Sequence, residues 1–461
     1  MKLGDLRNIN RITTKAEKVE QLKRDYNFKG LYHFTDFSNL EQIFKSGYLY
    51  SRNESIQKFG GFQDGADPKM INKLRDLNRL FVMNCVRFYY RPKTPTLYRN
   101  EGVKLEQYCN NIHIPMPVYL LFDESLIYSK DVIFSDGNTT SKYTKIDDTN
   151  DFFINKMDWK YIFKEGHYFE PGENYSDIEK WERGRKRQAE LLSLNPVSIE
   201  KYLKKIIFRC EADKKRAINV YGHSDKYEVD INLFSDKDLY GAEKQEDENN
   251  FIIDYDIDYE FDENGKKNKI IFIVEYNKSW KDYKTSFNIY DLEGLNLKDS
   301  INEFYKKYIT SKTIEYEPKK IRGRANLNFN KNNNYNDKKI LKIEGDIDKF
   351  SKFEIYINNF LYIEEFLKKE NLLKYEIDDD FKLHVVFKNK EIVNCCHKYQ
   401  ILDKENKIVD EGFPKFKMIS NKKNDNYKHY YIDLNLYTKA YKIKYYVDNV
   451  MYICDLLSNI K

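Results

Sequence analysis

The stretch GLYHFTDFSNLEQIFKSGYLYSRN, residues 30–53, decides how the N-terminal half of the chain is read. A short apolar run leads into a helix with a legible start. Ser38 and Glu41 stand at the S-x-x-E spacing of a capping box, Leu40, Ile43 and Phe44 form an apolar stripe, and Gly47 is placed to end the helix. YHFT, residues 32–35, is therefore the exit of a strand into a loop, where backbone and side chains are free to meet a ligand.

Outward from this stretch, further strands can be recognised. VRFYYRPKTPTLY (86–98) interleaves aromatic and basic residues before two prolines, a composition that suits either base stacking with phosphate contacts or the half-buried end of a strand. VYLLFD (118–123) and VIFSDG (132–137) are apolar runs closed by turn residues, as expected of central strands. Residues 138–184 are polar, dotted with aromatics and poorly periodic, and predict loop and short helix; a long irregular segment of this kind is more often functional than not. It leads into KRQAELL (186–192). Read as a strand, this places Lys186, Gln188 and Glu190 on one face. Asn195 and Pro196 predict a helix carrying Ile199, Tyr202, Leu203 and Ile206, and strands are expected near AINVYG (217–222) and KYEVDINLF (226–234).

The second half changes character. FIIDYDIDYEF (251–261) alternates apolar residues with Asp254, Asp256, Asp258 and Glu260, predicting a half-buried strand with a solvated acidic face, and ENGKKN turns it into KIIFIVEY as a hairpin. The Asn-rich run at 326–339 reads as a linker. Beyond it, FEIYI, FKLHVVF, YQILD, YYIDLNLY and YKIKYYV recur at strand length, the pattern of a β-sandwich or similar all-β module. The expected fold class is α+β followed by this β-rich region, in three parts: residues 1–235, 236–330 and 340–461.

A chain of 461 residues exceeds a single typical core, and 41% hydrophobic with 16% aromatic residues excludes a disordered class. The net charge of +5 is uneven: residues 1–100 hold 19 Lys and Arg against 10 Asp and Glu, and the remainder 60 against 64. A basic concentration of this sort is the footprint of a phosphate-facing surface. The N-terminus lacks the apolar run of a signal peptide, and no stretch of about 18 apolar residues occurs, so the expectation is a soluble, cytoplasmic protein without membrane contact. Six cysteines lack framework spacing; Cys395 and Cys396 are adjacent, and with His397 they want the second ligand pair of a zinc site, so no metal is expected.

Four pieces, in order, together resemble the DarT family of toxins, which transfer ADP-ribose from NAD to thymine bases in single-stranded DNA: YHFT with its helix and SRNE, FYYRPKTPTLY, VIFSDG, and KRQAELL followed by NPVSIEKYL. The resemblance spans roughly residues 28–235. It implies an ADP-ribosyltransferase-like split β-sheet core with peripheral helices, NAD as co-substrate and single-stranded DNA as partner. Glu190 matches the family's catalytic glutamate. His33, Phe34 and Thr35 fall on its NAD-contacting turn, with Gln42 and Tyr50 near further contacts. The family's functional arginine maps to Arg75 in INKLR (71–75), where only that position is kept, and Arg79 and Arg87 stay open as alternatives. A guanidinium is a poor base, so such an arginine orients the pyrophosphate or the base. The acceptor strand is expected along Arg87, Tyr89, Arg91 and Lys93, with Gln188 beside it; Lys93 stands where the family commonly has arginine. Residues 138–190 correspond to the loop that positions the acceptor. The resemblance implies a toxin or antiphage effector. An RNA or protein acceptor, or a non-catalytic NAD-binding or phage-sensing module, is the competing reading. The C-terminal half is a candidate sensor or regulatory module for an antitoxin or a phage-derived trigger protein.

Overall fold

The computed structural model describes residues 12–61, 68–102, 114–164, 172–234, 252–276, 284–294, 296, 309–317, 337–369, 372–387, 395–420, 426–435, 437 and 439–460. The chain divides into two units, one of residues 1–209 and 228–249, the other of residues 210–227 and 250–461.

The first unit is built on an eight-stranded sheet. In chain order its elements are α1 (Lys15–Tyr26), β1 (Leu31–Asp36), α2 (Leu40–Ser46), β2 (Tyr48–Leu49), α3 (Arg52–Phe59), α4 (Pro68–Asp76), β3 (Val86–Tyr89), α5 (Pro95–Asn100), β4 (Pro117–Phe122), β5 (Val132–Ser135), β6 (Ile146–Asp147), α6 (Trp159–Ile162), α7 (Asp177–Lys186), β7 (Glu190–Ser193), β8 (Val197–Ser198), α8 (Ile199–Tyr202), β9 (Leu203–Phe208) and, after the excursion of the chain into the other unit, β10 (Tyr227–Val229). The strand order is β10-β9-β4-β1-β3-β7-β5-β6. Every residue of β4 is buried, which is why VYLLFD reads as a continuous apolar run rather than an alternation. β1 follows Gly30, whose φ of +138° no L side chain adopts with ease, and a Cβ there would run into the carbonyl of Phe122.

Several local expectations are corrected. The Ser38–Glu41 capping box does not form. Asp36 is nearer the chain turn and takes that place, its carboxylate accepting from the Ser38 N–H at 3.0 Å and the Ser38 hydroxyl at 2.7 Å and opening a single 3-10 turn before α2. Gly47 ends α2 in the left-handed conformation, as expected. Residues 186–189 are not strand. A capping box between Ser176 and Glu179 starts α7, and its basic last turn of Arg183, Arg185 and Lys186 suits the negative end of the helix. The strand begins only at Glu190, so Lys186, Gln188 and Glu190 do not share a strand face. The helix expected at 195–206 shrinks to α8, because Ile206 and Ile207 are claimed by the central sheet through β9 pairing with β4. Residues 217–221 of AINVYG are helical, within Glu211–Tyr221, and Gly222 ends that helix.

Among the described residues the second unit holds that helix, α9 (Glu211–Tyr221), and four small antiparallel sheets, so the β-rich region is present. The expected hairpin of Ile252–Phe261 and Lys267–Tyr276 forms, with register shifts between Ile252 and Asp254 and between Glu260 and Phe261, and is extended by Asp337–Gly345, so strands on both sides of the Asn-rich run share a sheet. The run itself lies, up to residue 336, outside the described residues. The acidic face is not simply solvated: the buried ammonium groups of Lys215, Lys442 and Lys444 reach Asp254 at 2.7 Å, Asp258 at 3.0 Å and Asp256 at 3.3 Å. Among the described residues no helix is long and apolar enough to cross a membrane.

Candidate active site

The site grows out of a defect in the sheet. β1 and β3 pair residue to residue only at Tyr32 and Tyr89. Past that pair the ladder is not continued, and a side chain bridges the gap instead: His33 Nδ1 lies 2.9 Å from the carbonyl oxygen of Arg87. A carbonyl only accepts, so Nδ1 carries the hydrogen and Nε2 presents a lone pair. A cavity of about 760 Å³ opens where the strands part, lined by His33, Phe34, Thr35, Val86, Arg87 and Tyr89 together with residues of α2, α3 and α7. That is the size of a site for a large cofactor or nucleotide.

Glu190 opens β7 directly opposite Tyr89 and is completely buried. Its backbone is pinned by Ser135, whose hydroxyl accepts the Glu190 N–H at 3.0 Å and donates to the Gly137 carbonyl at 2.8 Å. One carboxylate oxygen, Oε1, pairs with Nη2 of Arg87. The other, Oε2, has no hydrogen-bond partner among the described residues. Burial alone would lower the affinity of Arg87 for its proton, but the charge of Glu190 and the hydrogen bond to it more than offset this, so the guanidinium is held cationic. The Arg87 side chain is 30% exposed and lines the cavity, whereas Glu190 does not. The acid thus sits behind the arginine. Burial, and then the charge of Glu190, raise the Tyr89 hydroxyl above its usual range and keep it neutral.

His33 is neutral as well. Burial lowers its pKa to about 4; the hydrogen bond to the Arg87 carbonyl acts against this, and the Arg87 charge adds to it. The unfolded chain takes up this proton near its ordinary value of about 6.5, so below that pH the unfolded state binds more protons. Stability is therefore fully present above about pH 6.5 and is lost as pH falls toward 4, amounting to about 2 kcal/mol by pH 5. His33→Asn keeps a donor for the Arg87 carbonyl and removes the titration. Urea unfolding at pH 7 and pH 5 is expected to show a smaller loss for the variant than for the wild type; equal losses would mean that His33 is not the titrating group.

One rim of the cavity is a clamped loop. The guanidinium of Arg79 donates to the carbonyls of Thr139 at 3.0 Å and of Ser141 and Thr144 at 2.7 Å each. Buried Arg185 reaches Asp136 at 2.7 Å and the Thr144 hydroxyl at 3.0 Å. Thr139 lies 3.3 Å from Arg87 Nη2, and Asn138 donates to Gln188 Oε1 at 2.9 Å. Beside this loop Trp181, 47% exposed, meets Tyr143, 58% exposed, edge to face.

Of the residues singled out from the sequence, His33, Phe34, Thr35, Gln42, Tyr50, Arg87, Tyr89 and Gln188 line the cavity together. Arg75 does not: it is exposed on α4 and donates to Asn72 at 3.3 Å, while Met70 and Lys73 of the same helix do line the cavity. Arg91 is buried and donates to the Lys164 carbonyl at 2.9 Å. Lys93 adopts a left-handed backbone, its N–H donating to the Tyr119 hydroxyl at 2.9 Å. Neither Arg91 nor Lys93 lines the cavity. Sequence reading missed Asn39, which donates to Thr35 at 2.8 Å, and also Arg52, Asn138, Lys180 and Trp181, all of which line the cavity. The signal for the last three was the irregular segment 138–184, which marked a region without marking residues.

Residues 32–235 match the family model described as "ssDNA thymidine ADP-ribosyltransferase, DarT". That match spans less than half of the chain, and over it the chain is similar to the DarT family. No curated protein matches the chain. Solved structures similar to it include a Thermus sp. 2.9 DarT in complex with NAD+, at 15% identity over 44% of this chain and 96% of that one with a TM-score of 0.32. The same protein in complex with ADP-ribosylated ssDNA gives 15%, 44%, 95% and 0.34. A Thermosipho africanus DarTG in complex with ADP-ribose gives 19%, 45%, 51% and 0.34.

Proposed function

We propose that the cavity binds NAD with its nicotinamide ribose toward Glu190, that Arg87 turns onto the pyrophosphate, and that the acceptor is a thymine base of single-stranded DNA entering past Trp181. The observation that carries this is the Arg87–Glu190 pair, with one carboxylate oxygen left without a partner behind the arginine that lines the cavity. Arg87 stands between acid and cavity, and a diphosphate is a better forked partner for a guanidinium than one carboxylate oxygen. Its departure uncovers Glu190. As the bond from ribose C1′ to the nicotinamide nitrogen breaks, its electron pair leaves with nicotinamide and the sugar becomes cationic. An adjacent carboxylate stabilises that state more than the ground state. The thymine ring nitrogen then bonds to C1′, and its proton passes to solvent. His33, neutral and tied to the Arg87 backbone, offers Nε2 as an acceptor for a ribose hydroxyl.

The acceptor path is supported by the Trp181–Tyr143 pair and by Lys180 at the cavity. Exposed aromatics beside cations stack unpaired bases at about 1–3 kcal/mol per base, and an unpaired strand spares the cost of extruding the base from a duplex. Trp181→Ala is expected to weaken binding of a thymine-containing oligonucleotide by about tenfold or more in fluorescence anisotropy, with NAD binding unchanged. Unaltered oligonucleotide affinity would place the strand elsewhere. The function itself is tested by offering labelled NAD to a thymine-containing DNA strand, the same strand without thymine, RNA and protein. Label is expected on the first alone. The role as a toxin or antiphage effector, and that of residues 236–461 as a module answering to an antitoxin or a phage-derived trigger, belong to the same proposal.

A further inference from the structure

His223, Cys395 and Asp448 lie far apart in the chain and come together in the second unit. His223 follows Gly222 at the end of α9; Cys395 precedes the strand His397–Leu402; Asp448 sits in a left-handed turn between Lys442–Val447 and Val450–Leu456. One nitrogen, sulfur or oxygen atom from each lies within 4.8 Å of the other two. We propose that these three side chains bind one divalent cation of the zinc class, with water at the fourth corner.

The geometry of the ligand atoms supports it. His223 Nδ1 and Asp448 Oδ2 are 3.1 Å apart, close to the edge of about 3.3 Å between nitrogen and oxygen ligands on a tetrahedral zinc ion. The two are hydrogen-bonded to each other in this structure, and the remaining polar atom of each is held by a further partner. The Cys396 N–H takes Asp448 Oδ1 at 2.7 Å, and the Tyr452 hydroxyl lies 2.8 Å from His223 Nε2. With Nε2–H donating to that hydroxyl, Nδ1 offers its lone pair to the cation, the usual outer arrangement for a ligating histidine. The His223 side chain is 2% exposed, so water does not compete freely for it. The Cys395 thiol hydrogen-bonds Asp448. The mixed nitrogen, sulfur and oxygen set suits zinc rather than calcium or magnesium. His397, the residue beside the cysteine pair in sequence, takes no part: its ring stacks on Tyr430 and its Nδ1 lies 2.9 Å from the Tyr445 hydroxyl.

The full chain, stripped with a chelator, is titrated with Co²⁺ and followed by absorbance. The expected result is a thiolate-to-cobalt band saturating at about one ion per chain. Cys395→Ser is expected to lose the band, His223→Gln to bind at least about tenfold more weakly, and Cys396→Ser to behave as wild type. No band, or one that survives in Cys395→Ser and vanishes in Cys396→Ser, would overturn the assignment. Should the variants fail to fold, the wild-type chain decides: its thermal midpoint is expected to fall in EDTA and recover with Zn²⁺, and an unmoved midpoint rejects the site.

Discussion

Glu190→Gln is expected to slow ADP-ribose transfer about 1,000-fold, corresponding to about 4 kcal/mol of lost transition-state stabilisation. The amide keeps the shape and one hydrogen-bond acceptor, so the variant tests charge rather than packing. In NAD+ the positive charge is spread over the nicotinamide ring and moves onto the ribose only as the bond breaks, so NAD affinity is expected to change by less than about tenfold. Single-turnover transfer to a thymine-containing oligonucleotide separates the two effects. The variant leaves Arg87 without its counter-ion, but that side chain is 30% exposed and can be hydrated, so the loss of activity is not expected to be a loss of fold. A raised KM with an unchanged kcat would move Glu190 from the chemistry to binding.

Arg87→Ala attacks the same pair from the other side and is expected to reduce kcat/KM by about 100-fold or more, with a fall in stability of about 3 kcal/mol. The asymmetry with Glu190→Gln comes from burial. Glu190 is completely enclosed, its Oε2 already lacks a partner, and Oε1 would lose its ion pair as well. Arg87→Lys keeps the charge without the fork and is expected to fall between the two. By contrast Arg75→Ala, on the exposed face of α4, is expected to leave kcat within about twofold of wild type. If Arg75 rather than Arg87 proves essential, the cavity is not the site.

What could be read in advance divides along physical lines. In the central sheet β4 was legible because every residue of it is buried and it appears as an uninterrupted apolar run. The C-terminal strands were legible by their alternation and turns. Failures cluster where a tertiary partner outbid a local pattern. Ile206 had helical spacing behind Asn195 and Pro196, yet pairing with Leu120 in β4 drew it into β9. Ser38 and Glu41 had the spacing of a cap, but Asp36 had the shorter reach. The order of short motifs brought His33 and Glu190 to one part of the fold, even though Lys186 and Gln188 proved to lie on a helix end and its turn. The choice of arginine was not legible: the match at Arg75 depended on one position, and the pairing of Arg87 with Glu190 arises only once β3 lies against β7. The cluster of His223, Cys395 and Asp448 was invisible for the same reason, since its members are joined by folding and not by spacing.

The most direct examination of the account is a crystal structure of the Glu190→Gln protein with NAD bound, in which slowed chemistry preserves the intact dinucleotide. The account predicts the nicotinamide ribose within hydrogen-bonding distance of residue 190, Arg87 turned onto the pyrophosphate, and His33 Nε2 facing a ribose hydroxyl. An NAD molecule seated with Arg87 still between its ribose and residue 190, or bound away from the parting of β1 and β3, would contradict it.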